Sequence, residues 1–185
     1  MKIKTTTLLL ISSLVLSFSC GQAIDHEKEV RYYVVLNKIR IETAKPVYNC
    51  IQAMSFGYSA TFTKKPGDKM DSNTINWLKK MYPLAIQALD SAIYKLNAIE
   101  ELDSEINLKG KMLSYYQDSK TFLESAEPKF IDMLTVKNGE LTNEERQTYS
   151  KLTNESKKLN EKEISFDDVF VEFRDKHHVT GTELK

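Results

Sequence analysis

Apolar residues recur every three or four positions along most of the chain, the spacing that places them on one face of an α-helix. The most regular run extends from residue 75 to residue 99, where steps of three and four alternate without interruption. This heptad spacing predicts a long helix with one face in a protein core. Its predicted core positions are Ile75, Leu78, Tyr82, Ala85, Leu89, Ala92, Leu96 and Ile99, widened by Ile86 and Ile93.

Three further segments carry similar spacing and predict helices over about residues 26–60, 108–133 and 149–173. Strand patterns are absent, apart from a possible short ribbon over about residues 134–141. The predicted apolar members of the first segment are Val30, Tyr33, Val34, Ile41, Ala44, Val47, Tyr48, Ile51 and Met54, and the third segment has Leu108, Met112, Tyr115, Ser119, Phe122, Ala126, Phe130 and Met133.

The last helical segment departs from the pattern near its middle. Ser156 and Glu163 occupy positions that the heptad spacing would give to apolar residues. We therefore expect this helix to be less deeply buried there, or to break, with Ser165 and Asp168 capping a new helix. Its remaining seam positions are Tyr149, Leu152, Leu159, Phe166, Phe170 and Phe173.

Turn-forming residues separate the four segments. Residues 65–68 predict a loop, residues 100–104 form a polar joint, and the Asn-Gly pair at 138–139 predicts a tight turn. Residues 142–145 read Thr-Asn-Glu-Glu, which has the pattern of a helix capping box. Short joints favour antiparallel neighbours, so the predicted fold is all-α, an up-down antiparallel four-helix bundle.

Three prolines, Pro46, Pro83 and Pro128, fall inside predicted helices. Each removes one backbone hydrogen bond and pushes against the carbonyl group four residues earlier, so we expect kinks or breaks at these positions. The kinks could open the bundle around a ligand cavity, or they could be curvature that the packing tolerates. The sequence favours the second interpretation.

The N-terminus has the pattern of an export signal. Lys2 and Lys4 precede an apolar run over residues 8–18, and a short basic region before such a run is typical of a secretory signal peptide. The run is too short for a membrane-spanning helix, which needs about 20 apolar residues. We therefore expect the signal to be removed.

Residues 16–21 read Leu-Ser-Phe-Ser-Cys-Gly and resemble a lipobox, the lipoprotein signal that ends in an acylated cysteine. The resemblance implies cleavage before Cys20, membrane attachment through lipid on Cys20 with palmitate among the acyl groups, and outer-membrane residence because Gly21 follows. Ser17 stands where leucine is usual, and Phe18 is bulkier than usual. Ser17-x-Ser19 is also a cleavage site for the ordinary signal peptidase, which would leave Cys20 as a free thiol.

These features divide the chain into a signal peptide at 1–19, a lipidated N-terminus and short tether at 20–26, a helical bundle domain at 27–179 and a tail at 180–185. The layout is similar to that of small helical surface lipoproteins of unknown function. It implies a lipid-anchored protein of the cell envelope and indicates no functional residues.

Charge and cysteine content narrow the function classes. Cleavage removes two lysines and leaves 24 basic against 26 acidic residues, a net charge of −2. This balance gives no electrostatic footprint for nucleic acid. Cys50 lies in an apolar helical stretch and is expected to be a small buried hydrophobe. Without lipid on Cys20, a Cys20–Cys50 disulfide is the alternative.

Two short motifs carry histidines at helical spacing. His26 and Glu29 could face one metal ion, and so could Asp175 and His178. We interpret the first pair as a solvated helical turn and the second as a helix terminus, where cationic residues are favoured by the helix dipole. The motifs for covalent haem, di-iron carboxylate, serine hydrolase and phosphate-loop sites are absent from the sequence. We therefore expect a non-enzymatic protein without a metal or cofactor.

The leading hypothesis is a helical module that binds another envelope protein or shields a surface. Two adjacent tyrosine pairs, at 32–33 and 115–116, give weak support, with one member of each expected in the core and the other at its margin. The alternative is a carrier that binds an apolar small molecule, a lipid or haem, inside the bundle. Its cavity would be lined by Tyr82, Phe122, Met54 and Phe170. The oligomeric state stays open.

Overall fold

A computed structural model describes the backbone of residues 4–63, 72–136 and 142–180, and the side chains of residues 25–54, 72–132 and 142–180 apart from Thr153, Asn160 and Ile164. These residues form four helices and no strand, so the all-α prediction is confirmed. The predicted loop at 65–68, the turn at 138–139 and the tail beyond residue 180 lie outside the described residues. The helices are α1 (Lys4–Thr63), α2 (Ser72–Asn97), α3 (Leu108–Val136) and α4 (Asn143–Lys176).

The first helix is much longer than the predicted segment that begins near residue 26. α1 starts at Lys4 and continues through the predicted signal peptide and through residues 20–26, where we expected a tether. No proline and only one glycine, Gly21, precede residue 26, so no strong helix breaker interrupts the backbone. Within the described residues, none of the helices is both long and apolar enough to cross a membrane.

The helical course of α1 separates its two cysteines. Thirty helical residues place Cys20 and Cys50 about 45 Å apart along the axis, far beyond the ~7 Å limit between the Cα atoms of a disulfide. The alternative Cys20–Cys50 bridge is therefore wrong for this fold. Cys50 is a free thiol in the core, as predicted, and burial raises its pKa to about 12.

Each of the three prolines lies inside a continuous helix, so of the expected kinks or breaks, breaks do not occur at these positions. α4 is also unbroken through Ser165. An interior proline costs a helix about 3 kcal/mol, whereas each fully buried large apolar side chain contributes about 1.5–3 kcal/mol. Several buried positions on each helix therefore outweigh the local cost.

The heptad seams of α2, α3 and α4 enter the core as predicted. Leu78, Leu89 and Leu96 of α2 are fully buried, and the remaining large seam residues of α2 pack at the edge of the core. Ser156 and Glu163 of α4 are only partly buried, as their polarity predicted. The buried seam positions of α3 and α4 are Leu108, Met112, Tyr115, Ser119, Phe122, Ala126, Phe130, Tyr149, Leu152, Leu159, Phe166, Phe170 and Phe173. The predicted seam residue Met133 lies outside the residues whose side chains are described.

The core prediction for α1 is confirmed in part, because Tyr33, Val47 and Met54 are buried and Val30 and Ile51 pack against the core. Ile41 and Tyr48, which were predicted core positions, are exposed, whereas Leu36, Thr43 and Cys50 are buried. Two residues advance a helix by about 200°, so Ile41 and Thr43 lie about 160° apart around the axis. α1 therefore carries two apolar faces, of which one packs in the core. Other predicted core positions on the exposed face are Val34 and Ala44.

Aromatic side chains join the helices across the core. The ring of Tyr32 on α1 lies 5.3 Å from that of Phe173 on α4, and Phe130 of α3 lies 4.8 Å from Tyr149 of α4 in an edge-to-face arrangement. The prediction that one member of each tyrosine pair stands at the margin is wrong, because Tyr32, Tyr33, Tyr115 and Tyr116 are all buried. The rings of both pairs pack on phenylalanines of α4.

The predicted capping box is confirmed at the start of α4. The backbone N–H of Glu145 donates to the Thr142 hydroxyl at 3.3 Å, and the Thr142 N–H donates to the Glu145 carboxylate at 2.6 Å. We expect Thr142→Ala to lower the free energy of unfolding by about 1 kcal/mol, because one N–H at the helix start loses its acceptor. Urea unfolding measures this change. Thr142→Ser should keep most of the stability, and equal losses in both variants would contradict the capping role.

Candidate functional site

A cluster of charged side chains closes one end of the helical domain, where α1, the α2–α3 connection and the end of α4 meet. The imidazole of His177 lies at its centre. Its Nδ1 is 2.9 Å from Glu29 Oε1, and its Nε2 is 2.9 Å from Asp103 Oδ2. Each ring nitrogen therefore lies within hydrogen-bond distance of a carboxylate oxygen. We call Glu29, Asp103, Lys176 and His177 the ion cluster.

Asp103 is the buried member of the ion cluster. Its Oδ2 also accepts from Lys176 at 2.7 Å, while its Oδ1 accepts from the backbone N–H groups of Glu105 and Ile106 at 3.0 and 3.1 Å. The Lys176 ammonium, the two N–H groups and His177 together hold the pKa of this carboxyl far below its usual range, against the opposing effect of burial. Asp103 therefore fixes the connection and ties it to α4.

A second carboxylate holds the start of α3 in place. Glu101 Oε1 accepts the hydroxyl of Tyr32 at 2.5 Å, and Oε2 accepts the N–H of Gly110 at 3.1 Å. Burial, followed by this bond to a carboxylate, raises the pKa of Tyr32 far above its usual range. A Cβ at Gly110 would lie 2.1 Å from the side-chain oxygen of Asn107, so a larger residue here would require the Asn107 side chain to move.

The ion cluster brings together residues from both histidine motifs of the sequence. His26 Nδ1 lies 3.5 Å from Glu29, and the second oxygen of Glu29 contacts His177 instead of sharing a metal with His26. Asp175 pairs with the guanidinium of Arg174 at 2.9 Å. His178 follows the end of α4 with a φ of 53°, off the helical course that the predicted Asp175–His178 pair requires. Nothing in the sequence spacing indicated that Asp103 would join the two motifs.

The contacts of the ion cluster form a network that joins three segments of the chain. Both ring nitrogens of His177 lie 2.9 Å from a carboxylate oxygen of the protein itself, so both are occupied by contacts within the ion cluster. Across the described residues, no group of three or more histidine, cysteine, aspartate or glutamate side chains is arranged to hold a metal ion. The ion cluster thus holds three segments together at one end of the domain.

A pocket of about 420 Å³ opens between α1, α3 and α4 in the middle of the domain. This volume lies in the ordinary range for ligand pockets, about 300–1,000 Å³. Ser156 and Glu163, the two polar positions of the α4 seam, belong to its wall, so a large side chain is missing where the pocket opens. The other lining residues are Arg40, Thr43, Ala44, Val47, Tyr48, Ile51, Gln52, Tyr115, Tyr116, Lys157, Leu159, Phe166 and Asp167.

Most charges in the pocket wall already have partners. Arg40 of α1 lies 2.9 Å from Asp167 of α4, and its guanidinium sits 5.1 Å from the ring centre of Phe170. Glu163 accepts a hydrogen bond from Tyr115, and burial, followed by the charge of Glu163, raises the pKa of this phenol. The Arg40–Asp167 pair joins α1 and α4 beside the opening.

The pocket is not the cavity that the sequence suggested. None of the four predicted lining residues, Met54, Tyr82, Phe122 and Phe170, belongs to its wall. Met54, Phe122 and Phe170 are instead buried in the core. The two polar positions in the α4 seam were the usable signal, because they predicted reduced burial at the place where the pocket lies.

Comparisons of the chain with protein-family models, with curated proteins and with solved structures gave no match. The function therefore has to be argued from the surface, the pocket and the ion cluster.

Proposed function

We propose that the chain is a non-enzymatic lipoprotein of the cell envelope whose helical domain is a protein-interaction or surface module. The observation that carries the proposal is the second apolar face of α1. Ile41 and Tyr48 expose 65% and 62% of their surface on a helix whose opposite face is already packed in the core. Exposed apolar residues that cluster on one face mark interaction sites more often than scattered ones do.

The proposed location in the cell envelope rests on the N-terminal signal. The lipobox-like residues 16–21 support cleavage before Cys20, lipid attachment to Cys20 and residence at the outer membrane. In this proposal α1 continues from the anchor as a helix, so Glu29 lies about 14 Å from Cys20 along the axis. The ion cluster would then face the membrane, and the partner of the exposed face would be another protein at that membrane.

The proposed arrangement of the helices is an up-down antiparallel bundle. Its support is the order of contacts between α3 and α4. Tyr115 meets Phe166, whereas Phe130, one half-helix further along α3, meets Tyr149 near the start of α4. Opposite contact order along two helices is typical of antiparallel neighbours.

We further propose that the helices bend at Pro46, Pro83 and Pro128. The support is that all three prolines lie inside continuous helices, where each removes one backbone hydrogen bond. In this proposal the bends are curvature that the packing tolerates.

The non-enzymatic part of the proposal draws on the ion cluster. A catalytic base needs a free lone pair near a cleft. His177, the best candidate by residue type, has a carboxylate against each ring nitrogen. Its neighbour Lys176 contacts Asp103 and Glu105.

A carrier for an apolar small molecule is the second candidate function, and the pocket favours it. Val47, Ile51 and Leu159 give the pocket an apolar wall beside the Arg40–Asp167 pair. A lipid fits this mixture of surfaces better than haem, because the wall contains no histidine, cysteine or methionine to ligate iron, and Tyr115 and Tyr116 in it are buried among apolar residues. If the protein is a carrier, the pocket of protein purified from its own membrane should contain a bound lipid.

Mass determination on the protein gently extracted from its own membrane tests both parts of the proposal. The denatured mass should exceed that of the chain from Cys20 onward by the mass of the acyl groups, and Cys20→Ser should remove the excess. A wild-type mass equal to the unmodified chain would overturn the anchor and support ordinary secretion. The Cys20→Ser variant is the matched control, since sulfur alone distinguishes the two side chains.

The native mass of the same preparation tests the function. We expect a complex with a second protein, in line with an interaction module. A small added mass that disappears on denaturation would support the carrier instead. A bare monomer in every preparation would contradict both functions.

A further inference from the structure

The exposed face of α1 has the regular spacing of a helix-packing surface. Val34, Ile41 and Tyr48 follow one another at intervals of seven residues and expose 37%, 65% and 62% of their surface. Each interval advances by about −20° around the axis, so the three side chains lie within about 40° of one another. Such a stripe is the seam by which one helix packs on another.

The stripe leads directly into the pocket. Tyr48 belongs to both, and Ala44 and Ile51 continue the stripe into the pocket wall. Lys157 and Glu163 of α4 form part of the opposite wall. The result is a groove with an apolar floor on α1 and a recess of about 420 Å³ at its end. We call the stripe and this recess the α1–α4 groove.

The described charges at the groove edges favour an acidic partner. Lys45 on α1 and Lys157 on α4 are exposed. Lys38, 74% exposed, lies 4.0 Å from Glu42, whose carboxylate pairs more closely with Lys95 at 2.8 Å. Of the two acidic residues of the recess, Asp167 forms an ion pair with Arg40. The described edges therefore carry basic charge that is available to a partner.

We propose that the α1–α4 groove is the docking site for an amphipathic helix of another envelope protein. That helix carries apolar residues every three or four positions and acidic residues beside them. Its apolar seam lies on Ile41 and Tyr48, and one large side chain enters the recess. This inference rests on the proposed interaction function and adds the class of partner and the surface that binds it.

A second copy of the chain fits the groove less well. Symmetric pairing of two α1 stripes centred on Ile41 would place residue 38 of one copy opposite residue 44 of the other. Lys38 and Lys45 of the two copies would then lie side by side along the interface edge. Like charges in this position oppose association, whereas glutamate or aspartate on a foreign helix would favour it.

Peptide binding to the full-length lipoprotein in detergent tests the proposal. One labelled helical probe has leucine at heptad positions a and d and glutamate at the flanking e and g positions, and the second has lysine in place of glutamate. We expect the acidic probe to bind at least about tenfold more tightly than the basic probe, with affinity that falls as salt rises. Combined Ile41→Asp and Tyr48→Asp substitutions should lower the affinity for the acidic probe by at least about tenfold.

Tyr94→Asp is the matched control, because Tyr94 is 79% exposed on α2 outside the groove, and it should leave probe binding unchanged. Circular dichroism verifies that all variants remain folded. Equal affinity for both probes, or unchanged binding after the Ile41 and Tyr48 substitutions, would overturn the proposal. A dimer in sedimentation that the same substitutions dissociate would also overturn it in favour of a second copy. A partner seen in the native mass but retained by these variants would reject the groove while leaving the interaction function intact.

Discussion

Replacing Phe173 with alanine should lower the free energy of unfolding by about 3–5 kcal/mol, the usual cost of deleting a fully buried phenylalanine. Phe173 is completely buried near the end of α4. Its ring lies 5.3 Å from Tyr32, 6.3 Å from Tyr33 and 4.2 Å from the imidazole of His177. The truncation would remove contacts to α1 and also leave His177 without its packing partner.

Urea unfolding followed by circular dichroism measures the loss. Val171→Ala is the matched control, since Val171 lies two residues earlier on the same helix and is 46% exposed. It should change stability by less than about 1 kcal/mol. If Phe173→Ala unfolded at the same urea concentration as Val171→Ala, the packing of α4 on α1 described here would be wrong.

Phe173 was predictable from the sequence because its helix has a single apolar face. The seams of α2, α3 and α4 each contain one apolar stripe opposed by charged residues, and one stripe has only one way to face a core. The burial of the apolar seam positions therefore follows from spacing, whereas Tyr116, Leu123 and Val169, which are also buried, lie outside the predicted seams. Even the exceptions were informative, since Ser156 and Glu163 indicated where α4 is less buried and where the pocket opens.

α1 could not be predicted in the same way because apolar residues cover two of its faces. A stripe through Ile41 and Tyr48 and a stripe through Leu36 and Cys50 both satisfy helical spacing. Only the neighbouring helices decide which stripe is buried, and that choice depends on long-range packing. The ambiguity of the sequence and the exposed stripe of the structure have the same origin, a helix with more apolar surface than its own domain covers.

The ion cluster was beyond sequence reasoning for a different reason. Glu29, Asp103 and His177 are separated by more than seventy residues at each step, and no local pattern links them. The sequence drew attention to His26, Glu29 and His178 as local pairs at helical spacing. In the structure, Glu29 and His177 instead bind residues from other segments, because the end of the domain brings three chain segments together.

Asp103→Ala should destabilise the protein by about 3 kcal/mol at neutral pH. The reason is that Asp103, the buried carboxylate of the ion cluster, accepts two backbone N–H groups and pairs with Lys176 and His177. Hydrogen bonds to a charged group contribute about 1.5–3 kcal/mol each, and the buried partners left behind would lose theirs. Asp103→Asn keeps an oxygen for the two N–H groups and should cost less. The difference between the two variants separates the backbone anchoring from the ionic contacts.

The contribution of the Asp103 charge to the free energy of unfolding should decrease as the pH is lowered. The pKa of Asp103 is lowered by folding, so its charge stabilises the folded state above the usual carboxyl pKa of about 4 and ceases to do so as the pH falls through the folded pKa. The stability difference between wild type and Asp103→Asn should therefore be constant above about pH 5 and shrink at lower pH. Thermal unfolding from pH 7 down to pH 2.5 measures it, and subtracting the variant cancels the titration of the other carboxyls.

Glu105→Gln is the matched control for this series. Glu105 lies two residues away and contacts the same Lys176 at 2.9 Å, but its side chain is 85% exposed. Exposed ion pairs contribute little, so this variant should have nearly wild-type stability at every pH. If Glu105→Gln lowered the free energy of unfolding as much as Asp103→Asn, the charge around Lys176 would contribute more to stability than the burial of the carboxylate does. If the wild-type advantage over Asp103→Asn did not shrink in acid, Asp103 would not hold its charge through the contacts seen here, and the ion cluster would owe its stability to packing alone.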